Sequence, residues 1–470
     1  MKSEIDLWTT LSRLDVGIFF VVLLITAASV IIGQKLKSKA IQSEEESMLD
    51  LLILGRQLTL PMFVATLVAT WYGGIFGVTE IAFNEGVFNF VTQGFFWYVA
   101  YIIFAFFLIH KIAPYKAITL PDLIEKMFGP KSAKLAAIFN FFNVLPVAYT
   151  ISLGIFLQLL FGGELYLNII LGTLFVVLYS MWGGFRAVVF SDLIQFFVMC
   201  TGVVIVLIFS YTTFGGLDFL RANLPETHFA LTGKVGLGTT LVWGFIALST
   251  LVDPNFYQRC FAAVSEKAAR NGILYSTLIW FCFDICTTLG AMYARAVIPE
   301  AQSGHAYLTY AIQILPDGLR GFVLAGILAT ILSTMDSYLF LAGTTLAYDL
   351  APKKLKGKVI VHHLGIILVG IISVILAMVF KGNIKTVWKT LGSFSASCLL
   401  LPVMYGHIFP GKIKDKQFVY ACLLGVVTTA TWRNINRPAL FVDVDELYVG
   451  ILTTSLVLFL HYIMSKKKMA

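Results

Sequence analysis

Apolar residues run along this chain in blocks of about 18 to 25 separated by short polar or basic stretches, not in the alternating or amphipathic patterns of a water-soluble domain. A helix rising about 1.5 Å per residue needs about 20 residues to cross about 30 Å of hydrocarbon. The blocks and their breakers predict thirteen spans, near 14–33, 61–83, 86–109, 132–161, 164–181, 187–211, 236–257, 269–297, 318–349, 359–380, 386–408, 417–432 and 446–464. The expected fold class is an all-α integral membrane protein. No stretch has the length and polarity of a separate soluble domain, and the largest loop, 34–60 with its "SEEES", reads as a connection, so 1–470 is one transmembrane domain. The acids of "MKSEIDLWTTLSRLD" ahead of a full-length span predict a retained first helix rather than a cleaved signal.

Composition agrees: 58% of the 470 residues are hydrophobic and only 13% charged. The net charge of +8 does not mark a nucleic-acid surface, because the basic residues sit in short clusters between apolar blocks. They carry topology instead. With the N-terminus outside, "KLKSK", "HKIAPYK" through Lys134, Arg186, "QRCFAAVSEKAAR", "KKLKGK", "KIKDK" and "SKKK" all fall inside. That places 23 of the 34 Lys and Arg inside, which fixes the expected orientation with the C-terminus in the cytoplasm of a cell (inner or plasma) membrane. Lys381, Lys385 and Lys389 run against it. The six Cys are scattered, with Cys282 and Cys286 on one helix face but no CxxC, so packing rather than zinc is expected. The seven His show no HExxH spacing, and no nucleophile–base pair or signalling domain is evident, so neither an enzyme nor a sensor is expected.

Two spans are interrupted. "LVATWYGGIFGVTE" (67–80) holds three glycines, consistent with a discontinuous helix or with close glycine packing. Five spans later, "LVWGFIALSTLVDPNFYQR" places Asp253 and Pro254 within an apolar block, where proline removes a ladder donor. Interruptions in corresponding positions of two halves predict an inverted-repeat transporter, with its site between the halves near midplane. A third feature sits in "ILATILSTMDSYLFL" (327–341): Ser333, Asp336 and Ser337 at i, i+3 and i+4 share one face, with Thr334 beside them and Thr330 a turn earlier. Interhelical hydrogen bonds, about 0.6 kcal/mol each, explain a hydroxyl there but not Asp336, whose ionised form costs about 3 kcal/mol at midplane. A hard cation is the expected partner. Asp192 is read either as a functional acid or as a structural partner of a basic residue, and Asp284 and Glu80 stay open between structural and functional roles.

"GGFRAVVFSDLIQ" (183–195), with "ATWYGGIFG", "QRCFAAVSEKAAR" and "ILSTMDS" in order, resembles the sodium:solute symporter family, which shares the five-plus-five inverted-repeat core of the leucine transporter. The resemblance covers nearly the whole chain and implies 14–33 as a helix preceding the core, 61–211 and 236–408 as its two repeats and 417–464 as two trailing helices. It implies a first sodium site from the carbonyls of Leu67, Thr70 and Thr330 and the hydroxyls of Ser333 and Thr334. It further implies a second sodium site from Asp192, Ser333, Asp336 and Ser337, where a proton is the alternative. For the solute it points to Trp71, Tyr72, Gln93, Asp253, Phe256, Trp388 and Ser395. Asp253 departs from the neutral amide of a sugar-binding relative; it can meet a substrate ammonium, accept from hydroxyls, or cap the break before Pro254. The expected activity is Na+-coupled import of a small polar solute by alternating access. Proton-coupled transport on the same fold and an ion channel are the alternatives, and no nucleic acid or obligatory protein partner is expected beyond the lipid bilayer.

Overall fold

The computed structural model describes residues 10–36, 44–181, 184–234, 236–437, 441 and 444–467. Of the features named above, residues 1–9, Lys37, Lys39, Ser43, Gly183 and Lys468 lie outside them. Helix occupies every predicted span: α1 (Arg13–Lys35), the interrupted pair α2 (Leu60–Ala69) and α3 (Ile75–Glu85), α4 (Phe90–Tyr115), α5 (Pro130–Phe161), α6 (Leu165–Ser180), α7 (Gly184–Phe214), the second interrupted pair α8 (Gly236–Leu248) and α9 (Pro254–Ala262), α10 (Glu266–Val297), α11 (Leu319–Leu350), α12 (Val359–Val379), α13 (Ile384–Ile408), α14 (Asp415–Asn434) and α15 (Glu446–Lys467). Among the described residues, ten of these stretches are long and apolar enough to cross a membrane. The α2–α3 pair, the 16-residue α6 and the charge-flanked α14 are not among the ten.

Burial grades these helices from periphery to centre. In α1 only 17% of the most apolar window is buried, and Phe20, Leu24 and Ile31 point outward, as expected of a helix facing lipid. In α11 the figure is 94%, so its polar residues face protein on every side. α7 packs along α11, and α1 lies against both. Asp15 of α1 is fully buried and accepts from the backbone N–H groups of Gly318 (2.7 Å) and Gly321 (3.1 Å), capping the start of α11 where orphan donors would otherwise lack partners. A Cβ on Gly321 would lie 2.0 Å from the Asp15 carbonyl oxygen, so only glycine lets α1 approach this closely.

At the end of the bundle that carries the basic loops, the two interrupted pairs are tied together. The Leu58 amide donates to the Ala262 carbonyl (2.9 Å), the Val264 amide donates back to Leu58 (3.1 Å), and the Arg56 guanidinium spans the carbonyls of Phe261 (2.9 Å), Lys116 (2.9 Å) and Ala117 (3.1 Å). Close by in sequence, Thr119 donates to Asp349 of α11 (2.6 Å).

Candidate cation and solute site

The first break follows from its residues. α2 ends at Ala69, Thr70 to Gly74 leave the helical path, and α3 restarts at Ile75. Gly73 and Gly74 permit what surrounds them: a Cβ on Gly73 would lie 2.5 Å from Cβ of Thr334, and one on Gly74 2.0 Å from the Trp388 ring. Ala69 stands at the helix end, where a carbonyl is released from the ladder. Ser333 donates to that carbonyl at 2.6 Å and Thr334 reaches it at 3.4 Å, while both also reach the Thr330 carbonyl (3.2 and 2.9 Å). All of these residues are buried. The hydroxyls therefore meet Ala69, which lies between Leu67 and Thr70, the two residues whose carbonyls the family resemblance implies for sodium. Thr70 turns its own hydroxyl back to the carbonyls of Thr66 (2.8 Å) and Leu67 (3.4 Å) and receives the Asn255 amide (3.3 Å). Two carbonyls and two hydroxyls on one water-poor seam form an all-oxygen donor set, the chemistry of a hard cation. When a cation enters, each hydroxyl can turn its lone pairs toward it without moving the backbone.

The residues expected around a second cation are divided. Arg259 of α9, fully buried, stands between Asp192 and Ser337: its Nη2 lies 3.8 Å from Asp192 and donates to Thr66 (3.0 Å) and Ser337 (3.1 Å), while Nη1 donates to Asn255. Thr66 in turn donates to Asp192 at 2.5 Å. Asp336 turns elsewhere and accepts from Ser180 at the end of α6. The structure thus joins Ser337 and Asp192 through a guanidinium and leaves Asp336 in a separate contact. Sequence reading missed Arg259 because it took "QRCFAAVSEKAAR" as a basic loop. The signal was Pro254, which at the first turn of a helix starts one rather than ends one.

Beyond the first break lies an open pocket. Of the residues expected there, Trp71, Tyr72, Gln93, Asp253 and Trp388 line it. Phe256 is fully buried one layer back, stacked on Tyr101 (5.2 Å) and edge-on to Trp71 (5.5 Å), where it holds the indole in place. Ser395 is buried at the start of a π-helical turn of α13 and is not in the lining. Trp97, Asn143, Tyr149, Trp243, Ser249 and Tyr338 line the pocket without having been anticipated. Trp97 stands one turn after Gln93 and Tyr338 one turn after Thr334, so helical spacing from residues already chosen would have found both. Asp253 sits in the extended link before α9 and accepts from the Asn255 amide at 2.8 Å, which is the capping geometry, while its other oxygen receives the Tyr338 hydroxyl at 3.4 Å.

A helical bundle with two interrupted pairs, an oxygen-lined seam at one break and a solute-sized pocket beside it has the architecture of a secondary transporter. The chain belongs to the sodium:solute symporter family, whose sequence profile matches residues 52–409. It is similar to the osmoregulated proline transporter OpuE of Bacillus subtilis, at 24% identity over 342 residues, covering 67% of this chain and 68% of that protein. It is also similar to the sodium/pantothenate symporter of Haemophilus influenzae, at 29% identity over 246 residues, 50% of this chain and 51% of that one. A solved structure described as the substrate-bound outward-open state of a Na+-coupled sialic acid symporter covers 97% of this chain and 98% of its own, with a TM-score of 0.76 at 17% identity. That likeness establishes the fold. Sodium is the coupling ion that membership of this family brings, and the named relatives are transporters rather than enzymes.

Proposed function

We propose that this protein is a sodium-driven symporter that imports a small polar organic solute by alternating access, through thirteen crossings built as a five-plus-five core with one helix before and two after. The N-terminus is outside and the C-terminus cytoplasmic in this reading, supported by the distribution of Lys and Arg. The observation that carries the coupling is the meeting of Ser333 and Thr334 with the released Ala69 carbonyl. One sodium ion there would join the first interrupted helix to α11, and the solute pocket borders the same two elements through Trp71, Tyr72 and Tyr338. Each ligand then favours the arrangement that the other needs, and by linkage the solute must tighten sodium as much as sodium tightens the solute, typically by about 1–3 kcal/mol. The ties among Arg56, Leu58, Phe261 and Ala262 would close the cytoplasmic side while the pocket opens outward. An inward potential adds about 2.3 kcal/mol per charge per 100 mV.

The test is thermal unfolding of the purified protein in sodium and in choline-free potassium buffer. Sodium should raise the midpoint in the wild type and not in a Ser333→Ala, Thr334→Ala double variant. Equal stabilisation of both by sodium would remove the assignment.

A further inference from the structure

The pocket has a composition that its neighbours do not share. Four of the chain's eight tryptophans, Trp71, Trp97, Trp243 and Trp388, line it together with three tyrosines. One ionisable carboxylate, Asp253, faces this aromatic wall, and among the described residues no Lys, Arg or His lines the cavity. Asp253 makes no ion pair within 4.0 Å among the described residues, because the buried Arg259 is held by Asp192, Thr66, Ser337 and Asn255. One carboxylate oxygen accepts from the Asn255 amide at 2.8 Å and the other receives the Tyr338 hydroxyl at 3.4 Å, with the Phe256 amide also directed at the carboxylate. An acid in this setting has no cation in direct contact with it: its nearest basic group is the buried Arg259, which is committed to Asp192, and a membrane interior penalises a charge so placed.

Resting on the symport reading above, we infer that the transported solute carries an alkylated ammonium and no carboxylate, seated between the indoles and the Tyr338-facing oxygen of Asp253. Aromatic faces attract a cation through the ring quadrupole, most strongly for tryptophan and most strongly where water is excluded. A carbohydrate would need paired donors and acceptors around each hydroxyl; besides the tyrosine hydroxyls and indole N–H groups at the ring edges, this wall supplies only Gln93, Asn143, Ser249 and Asp253. A carboxylate-bearing solute would meet Asp253 with no basic side chain in the lining to offset it. An alkylated ammonium asks for neither donors nor many acceptors. Its bulk is apolar and its charge is diffuse, which matches rings on the sides and one carboxylate at the end.

The comparison that isolates charge uses two probes of one shape, choline and 3,3-dimethylbutan-1-ol, in which carbon replaces the quaternary nitrogen. Quenching of intrinsic tryptophan fluorescence in the full-length protein at saturating sodium reports binding, with glucose and proline as neutral and zwitterionic arms. Choline should bind at least about tenfold more tightly than its neutral isostere, glucose and proline. Asp253→Asn, which keeps an oxygen for the cap, should erase most of that preference. Trp388→Leu should do the same and Trp388→Phe should restore part of it. Equal binding of the two isosteres, tighter binding of glucose or proline, or a preference that survives both Asp253→Asn and Trp388→Leu overturns the inference. Failure of sodium to stabilise the ligand-free protein would instead overturn the symport reading, so the two results are separable.

Discussion

Replacing Asp192 with asparagine removes the negative half of an ion pair in which both side chains are fully buried and the charged atoms are 3.8 Å apart. At an effective dielectric of about 20, two unit charges at that distance attract by about 4 kcal/mol. Mutational experience for a single broken partner in a buried pair is about 3–5 kcal/mol, because the survivor stays desolvated. Arg259 would retain Thr66, Ser337 and Asn255, all neutral, so its hydrogen bonds persist while the negative charge that compensates it is lost. Asp192→Asn should therefore lower unfolding free energy in mixed micelles by about 3–5 kcal/mol, and Arg259→Gln by a similar amount. The double variant, with two amides and no charge, should cost at least about 2 kcal/mol less than the sum of the single losses, since contacting residues couple. A double-mutant cycle closed with denaturant or thermal unfolding reads this directly. Additivity within about 0.5 kcal/mol would refute the claim that Arg259 answers Asp192, and with it the division of the second cation position described above.

Four further outcomes follow from the structure. With a fixed guanidinium between Asp192 and Ser337, sodium activation of transport should show a Hill coefficient of about one, measured by varying external sodium; a value near two would return a second ion to that cluster. Gly73→Ala would place a methyl 2.5 Å from Thr334 Cβ and 2.7 Å from the Tyr149 ring, and overpacking of about 1–3 kcal/mol at this seam should weaken sodium affinity by about tenfold or more in a sodium-dependent melting series. Gly74→Ala, which meets the Trp388 ring, should act on solute affinity instead. His228, outside the spans, is almost fully buried with Nε2–H donating to the Phe83 carbonyl (3.1 Å), and burial pushes its pKa below the ordinary 6.5. The unfolded chain then takes the proton first, so this contribution to stability is present above about pH 6.5 and is lost as pH falls through the folded pKa. The melting midpoint should drop between about pH 7 and pH 5 in the wild type and respond less in His228→Asn; equal slopes would exclude the histidine as the cause.

Positions of helices were legible because span length is dictated by the bilayer and breakers such as Pro254 and the Gly73–Gly74 pair are local signals. The site was legible as to face and less so as to atom. Ser333 and Thr334 announce themselves by being polar on a helix that is buried all round, but which carbonyl they meet depends on the residue at which α2 stops. Glycines mark a break without fixing its last helical turn, so the sequence brackets the released carbonyls around Leu67 and Thr70 without singling out Ala69. Arg259 was hidden by context: a basic residue near the end of an apolar block reads as a loop anchor until the short helix after Pro254 is seen to carry it inward. Trp97 and Trp243, the pocket tryptophans that were not anticipated, were hidden by abundance. In a chain that is 14% aromatic, an indole facing a cavity and an indole facing lipid leave the same mark on the sequence.

The central claim is that sodium bound by Ser333, Thr334 and the released backbone beside them drives solute uptake. Its most direct measurement is initial-rate uptake of labelled cationic, zwitterionic and neutral solutes into proteoliposomes under imposed sodium or proton gradients. At least one solute should accumulate transiently above equilibrium with an inward sodium gradient and not with a proton gradient alone, and the accumulation should vanish in the folded Ser333→Ala, Thr334→Ala double variant. Uptake that ignores the sodium gradient, or that persists unchanged in that variant, would contradict the account.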